Sequence, residues 1–465
     1  MKTNARKYIS LLLALCMVMS LLPAAALAAD GDCTGDHSGW TELSGRISSL
    51  SGNCCLTGDV TVSTEIHTTG NVTLCLNGYT LNLSRTTLFV DSGSFTLCDC
   101  KGGGEITGGK TSVSAVKVND GSFIMNGGTI TGNGGGVRVE STNSSASFIM
   151  NGGSITENAC VGSTSNYILC GGVYVAGGSF TMTGGSITGN TATGSIAMTA
   201  SGGVLVASGG SFTMTGGEIT NNQCTVAKFL SGDDFAGGVR VSSSLIGGSF
   251  TVSGDAVISG NTANGSANNV SLTGGQKISI GSGGLSSGAE LGVTMASAGV
   301  FTTGGGESCR QYFFSDDDTY VVVPSGNELA LGQLANYPQY AHSHPACGDN
   351  TCGQHGGEVT FSPLSSLSST LGPGNYYLKH SVTATDDITI SGAVNLCLNG
   401  RTLDLDGRTK ALGERERQVL ADLAQLGGRQ SAPMSEVEVR IEAPAACKGA
   451  FTLTYYVRNA GGFPS

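Results

Sequence analysis

Lys117, Arg138, Tyr174 and Arg240 each stand between two valines, in Val116-Lys117-Val118, Val137-Arg138-Val139, Val173-Tyr174-Val175 and Val239-Arg240-Val241. Alternate residues of an extended strand point to opposite faces. The valines therefore share one face, and these four residues share the other with Leu205 of Val204-Leu205-Val206. Cations beside a ring suit an acidic or neutral glycan, because guanidinium and ammonium groups bond its oxygens while the ring stacks. Lys117, Arg138, Tyr174 and Arg240 are the ligand-binding candidates. The plainer alternative is the polar exterior that any sheet presents to water.

No catalytic residue is assigned. Glycoside hydrolysis needs paired carboxylates, and Asp233-Asp234, in the long loop after Asn222, is the one local pair in the repeat region. Both it and Asp316-Asp317-Asp318 read as solvated turns. His342, His344, Cys347, Cys352 and His355 supply enough ligands for tetrahedral Zn²⁺, but their spacing is not that of a standard finger. They are read instead as a polar linker with a Cys347–Cys352 disulfide. No nucleophile elbow, phosphate loop or dinucleotide fingerprint occurs in a fitting context. No cofactor and no metal is expected.

The elements that must position these residues follow from a repeat. Gly-Gly-Val-x-Val occurs at Gly135–Val139, Gly171–Val175, Gly202–Val206 and Gly237–Val241. Ser-Phe-x-Met or a close relative occurs at Ser94–Leu97, Ser122–Met125, Ser147–Met150, Ser179–Met182, Ser211–Met214 and Ser249–Val252. Gly-Gly-x-Ile-Thr-x-Asn occurs at Gly127–Asn133, Gly152–Asn158, Gly184–Asn190 and Gly216–Asn222, with Gly254–Asn261 a stretched form. The period varies in one main place. One residue separates Asn133 from Gly135, and twelve separate Asn158 from Gly171. Three short strands and one elastic loop per unit are what an all-β, parallel β-helix requires, each turn adding a rung to three sheets. Parity places Phe123, Phe148, Phe180, Phe212 and Phe250 in one interior column and Met125, Met150, Met182 and Met214 in another. Asn133, Asn158, Asn190, Asn222 and Asn261 recur at one corner, where stacked amides bond turn to turn.

Composition agrees. Charged residues are 12% of the chain and Gly is 74 of 465, against about 25% charged in ordinary domains. Glycine disfavours helices, and the regular apolar residues disfavour disorder. The formal charge of −11 argues against nucleic acid and anionic membrane surfaces as partners. Of the 15 cysteines, Cys16 falls in the leader described below. The even remainder permits disulfides, Cys160 with Cys170 being one candidate pair.

From roughly Cys54 to Ile280 the chain resembles the pectate-lyase-like right-handed β-helix superfamily. The resemblance is carried by Leu-Cys-Leu-Asn-Gly-x-Thr-Leu at Leu74–Leu81 and the glycine-rich array after it. It is closest to large secreted repeat proteins of gut bacteria, and the Gly-Gly-Val, Phe, Asn order is similar to polymorphic outer-membrane adhesins. The resemblance implies a fold and leaves function open, because this fold hosts lyases, hydrolases and adhesins alike.

Lys2, Arg6 and Lys7, the apolar run Tyr8–Leu22 and Ala26-Leu27-Ala28 read as a signal peptide over 1–28, and no later segment is long and apolar enough to span a membrane. Residues 31–332 read as an opening segment with the β-helix, closed by a strand pair around the acidic run within Ser308–Leu331. Leu396–Leu403 repeats the Leu74–Leu81 motif, so 333–407 reads as a linker and a truncated second opening segment. Residues 408–465 read as an unrelated helix-plus-strands tail. There Tyr455–Gly461 resembles the strand of a mucoidy-inhibitor-like family of uncharacterised proteins, without that family's Trp. The expected role is a secreted or cell-surface structural and adhesive protein contacting polysaccharide or a host surface glycoprotein. A polysaccharide lyase or hydrolase, and a passive spacer, are the alternatives.

Overall fold

The computed structural model describes residues 35–344 apart from 111–113, 142–144, 163–167, 229–233 and 243–246. Beyond them it describes 359–364, 370–383, 389–390, 394–399, 401, 403–404, 438–439, 450–451 and 455–456. The expected signal peptide, most of the expected tail, and Cys347, Cys352 and His355 lie outside the described residues.

The chain forms a parallel β-helix. A Val ladder runs in register from Ile66–Thr68 through Leu88–Val90, Val116–Val118, Val137–Glu140, Val173–Ala176, Val204–Ala207 and Val239–Val241 to Val270–Leu272. A Phe ladder runs from Ser94–Cys98 through the Ser-Phe-x-Met strands to Ser249–Gly254. An Ile ladder joins Glu105–Thr107, Thr129–Thr131, Ser154–Thr156, Ser186–Thr188, Glu218–Thr220 and Val257–Ser259. No helix among the described residues is long and apolar enough to cross a membrane.

The interior columns follow the expected parity. Phe123, Phe148, Phe180, Phe212 and Phe250 are all buried. Their rings stack nearly parallel, with centroids 4.9, 4.8, 4.7 and 4.9 Å apart along the column. Phe95 joins them at 5.4 Å. Each fully buried apolar side chain of this kind contributes roughly 1.5–3 kcal/mol. The Met column explains one glycine in each turn. Gly185 lies at φ +82°, and a Cβ there would meet Gly153 O at 2.7 Å and Met150 Cε at 2.8 Å.

At the corner after the Ile ladder the asparagine side chains form a chain of amides. Asn133 Nδ2 donates to Asn158 Oδ1 at 3.0 Å, Asn158 to Asn190 and Asn190 to Asn222 at 2.9 Å each, and Asn222 to Asn261 at 3.0 Å. Asn261 continues to Asn269 at 2.9 Å, and Asn269 to Asp316 Oδ1 at 2.6 Å. Asp316 is therefore not the solvated turn residue expected. Its carboxylate, an acceptor without a donor, ends the amide chain and also receives the Thr294 hydroxyl at 2.6 Å. Burial pushes its pKa up against those hydrogen bonds. The coil closes with an antiparallel hairpin, Tyr320–Ser325 against Glu328–Gln333. Its turn is Gly326-Asn327, so the acidic run precedes the hairpin rather than forming its bend.

Candidate functional site

Lys117, Arg138, Tyr174, Leu205 and Arg240 are consecutive partners across the Val ladder. The column is real, but its exposure is not uniform. Lys117 and Arg138 are half-buried, their side chains 26% and 31% exposed. Tyr174 is 4% exposed and Arg240 2%, which corrects the expectation that all four face solvent.

The elastic loops account for the change at Tyr174. Those after Asn158, Asn190 and Asn222 each leave the coil on one strand and return on another. The outgoing strands Ala159–Gly162, Thr191–Ala197, Gln223–Lys228 and Thr262–Ala263 pair in parallel. So do the returning strands Ile168–Cys170, Thr199–Ser201 and Asp234–Ala236. Together they make a lateral lobe with its own core of Cys160, Leu169, Ala192, Ala200, Cys224 and Phe235. Cys170, at the base of the lobe, packs against Tyr174, Ala176, Leu205 and Ala207. The outer face of the coil thus turns apolar at the turns that carry the lobe. Cys160 and Cys170 are free thiols, and Cys170 lies 3.7 Å from Gly203 O as its donor. The proposed bridge between them is absent. Asp234 begins a lobe strand, and Asp233 lies outside the described residues.

Arg240 is consumed within the fold. Its guanidinium donates to the carbonyls of Val241 and, at 3.1 Å, Ser271, and to Thr273 Oγ1 at 2.6 Å. Arg138 is held differently. Nε and Nη2 grip Glu140 at 3.1 and 2.8 Å, and the guanidinium carbon lies 4.4 Å from the centre of the Tyr174 ring. Lys117 Nζ reaches the same Glu140 at 3.0 Å. The Arg138 hydrogen bonds hold Glu140 down at about 2 against the opposing effect of burial, helped by the two positive charges. Glu140 is thus a fixed anion and unsuited to giving up a proton as a general acid near neutral pH. Burial pushes the Tyr174 hydroxyl up.

Toward the N-terminus the column continues through Phe89 to His67, which stack at 4.6 Å with their planes 5° apart. His67 Nδ1 bonds Asp91 Oδ2 at 2.6 Å, and Asn119 Nδ2 donates to Asp91 Oδ1 at 2.8 Å. Burial alone would raise Asp91. Hydrogen bonds from Asn119 and His67, with the charges of His67 and Lys117, outweigh it and leave the carboxyl below its ordinary value. Sequence reasoning missed Asp91, Asn119 and Glu140. Each sits two residues after an outward residue of the column, so parity alone places it on the same face. What results is a half-exposed strip of rings, cations, carboxylates and an amide, four turns long and ending at the lobe.

His342 lies 3.2 Å from Cys397 through Nε2 and stacks on Tyr377 with centroids 4.3 Å apart. Residues between 379 and 401 also contact the end of the coil. Glu290 accepts from Ser381 N at 2.9 Å and Ser381 Oγ at 3.1 Å and pairs with Arg401 at 3.4 Å, while Lys379 pairs with Asp318 at 2.5 Å.

Comparison with known proteins returned no matching family model, no matching curated protein and no matching solved structure.

Proposed function

We propose that the protein is a secreted or cell-surface adhesive scaffold of the pectate-lyase-like kind, contacting a polysaccharide or the glycan of a host surface protein. The observation that carries this reading is the in-register outer strip from His67 to Arg138, with the Tyr174 ring beneath Arg138 at its end. Successive turns stack about 4.8 Å apart, so the strip offers an extended chain molecule a ring, a cation or a hydrogen-bonding group on every turn. The groups are already oriented by their neighbours, which lowers the ordering penalty of binding. The lobe extends the same surface. Val161, Ile168 and Met198 are 55%, 42% and 57% exposed, three of the four exposed large hydrophobics among the described residues, and all lie on it. Loops carry recognition while the coil beneath holds them.

The test is a glycan and mucin binding screen with the full chain, read at low and high salt. Binding that weakens with salt, as half-exposed charges require, supports the reading. No binding to any polysaccharide or mucin contradicts it. Release of unsaturated or reducing sugar ends would replace it with the lyase or hydrolase alternative.

A further inference from the structure

Three ligand atoms converge at the N-terminal end of the coil. Cys75 ends the strand Val72–Cys75, Cys100 lies on the next turn, and His37 comes from the segment before the first strand. Cys75 Sγ and Cys100 Sγ are 3.5 Å apart, His37 Nε2 is 3.8 Å from Cys100 Sγ, and all three ligand atoms lie within 4.8 Å of one another. Tetrahedral zinc, with Zn–S of about 2.3 Å and Zn–N of about 2.0 Å, sets ligand atoms roughly 3.5–3.8 Å apart. Asn77 stands at the same place. Its Nδ2 is anchored on Leu56 O at 2.8 Å, which leaves Oδ1 3.6 Å from Cys100 Sγ. His37 is itself positioned by a turn closed by Trp40 N on His37 O at 2.9 Å and by the edge-on Trp40 ring at 4.9 Å.

We propose that His37, Cys75 and Cys100 form a binding site for a borderline-soft divalent cation, Zn²⁺ in the first instance, with water or Asn77 Oδ1 in the fourth position. Both thiols give up a proton on binding, and neutral His37 donates through Nε2. A second, independent observation points the same way. The motif recurs at Leu396–Asn399, and a histidine again lies near the motif cysteine: His342 Nε2 is 3.2 Å from Cys397 Sγ, as His37 lies within 4.8 Å of Cys75 while contacting Cys100. The same backbone holds both copies, because Asn77 and Asn399 share φ values of 52° and 51° and donate to Leu56 O and Leu378 O. The histidine recurs although its distance from the motif along the chain differs. A Cys75–Cys100 disulfide would account for the sulfurs but leave the histidine without a part. The site would tie the segment before the first strand to two successive turns and close the open end of the coil.

The test uses the full chain, reduced and then freed of reductant, titrated with Co²⁺ as a spectroscopic probe and back-titrated with Zn²⁺. The expected result is the visible absorption of tetrahedral thiolate–Co²⁺, bleached by Zn²⁺, with one equivalent lost in Cys100→Ser and in His37→Ala. Cys224→Ala is the control and keeps that equivalent, since Cys224 lies in a lobe column between Ala192 and Ala263. His37 is only half-buried, so His37→Ala keeps the test valid where Cys100→Ser fails to fold. Absence of the thiolate–Co²⁺ absorption, an unchanged stoichiometry in His37→Ala, or a Cys75–Cys100 disulfide that re-forms in the presence of Zn²⁺ would each overturn the proposal.

Discussion

The Phe column and the outer column of the Val ladder share the same parallel pairing and follow different rules. Inside, every turn presents the same surroundings, so the same residue recurs and each ring stacks on its own kind. Outside, the residue changes from each rung to the next, through His67, Phe89, Lys117, Arg138, Tyr174, Leu205 and Arg240. The charged and polar ones are completed locally, by Asp91 for His67, by Glu140 for Lys117 and Arg138 together, and by backbone carbonyls for Arg240. A repeated environment selects repetition, while the outer face is free to build interactions between rungs.

The largest effect that separates the two is in the interior. Phe180→Ala should lower unfolding free energy by about 3–5 kcal/mol, whereas Thr181→Ala, the next residue on the opposite face, should stay within about 0.5 kcal/mol. Chemical denaturation measures both, and equal losses would mean that the inside and outside of the Phe ladder are misassigned.

The asparagine corner sharpens the contrast with a polar interior. Asn190→Ala removes the acceptor of Asn158 Nδ2 and the donor to Asn222 Oδ1. A buried group that loses its partner costs about 1–3 kcal/mol, and because Asn158 Nδ2 keeps Ile130 O and Asn222 Oδ1 keeps the backbone amide of residue 190, a loss of about 2–4 kcal/mol is expected. Asn151, whose amide bonds Asn126 at an exposed position, should lose no more than about 0.5 kcal/mol as Asn151→Ala. Comparable denaturation midpoints for the two variants would break the claim that burial makes the chain of amides matter.

The smallest effect belongs to Glu140. Its pKa falls from an ordinary 4.5 to about 2 in the folded protein. The stabilisation is therefore present above about pH 4.5 and lost as pH falls toward 2. The carboxylate is more than a third exposed, so solvent screening limits the effect to about 1 kcal/mol at most. Stability of Glu140→Gln should lie slightly below wild type at neutral pH and converge with it near pH 2. A gap that widens on acidification would show that the Arg138 and Lys117 pairs do not hold the carboxylate in its charged form.

The interior was legible in the sequence because a period-two pattern within a fixed three-element unit leaves one parity for Phe180, Met182 and Ile187. The corner asparagines were legible for the same reason. The exterior was legible only as a column. That Tyr174 is buried follows from how loops of unequal length pair into a lobe, and that Arg240 is buried from its bonds to Ser271 and Thr273 of the next rung; no residue within their own strands signals either. The convergence of His37 on Cys100 was hidden similarly, since the two are 63 residues apart and meet only once the turns are stacked. Asp316 escaped because its neighbours Asp317 and Asp318 are exposed, and only the stacking shows that the first aspartate continues the asparagine chain.

Arg138 and Arg240 make the most direct test, being the same residue type in one column with opposite surroundings. Binding to a polysaccharide identified in the screen should be measured for Arg138→Ala and Arg240→Ala alongside their unfolding free energies. The account predicts that Arg138→Ala weakens binding by about 1–3 kcal/mol, the scale of a charge-assisted hydrogen bond, and flattens its salt dependence with little loss of stability. Arg240→Ala should lower stability and leave the affinity of the folded protein unchanged. Unaltered binding in Arg138→Ala, or a loss of affinity confined to Arg240→Ala, would contradict it.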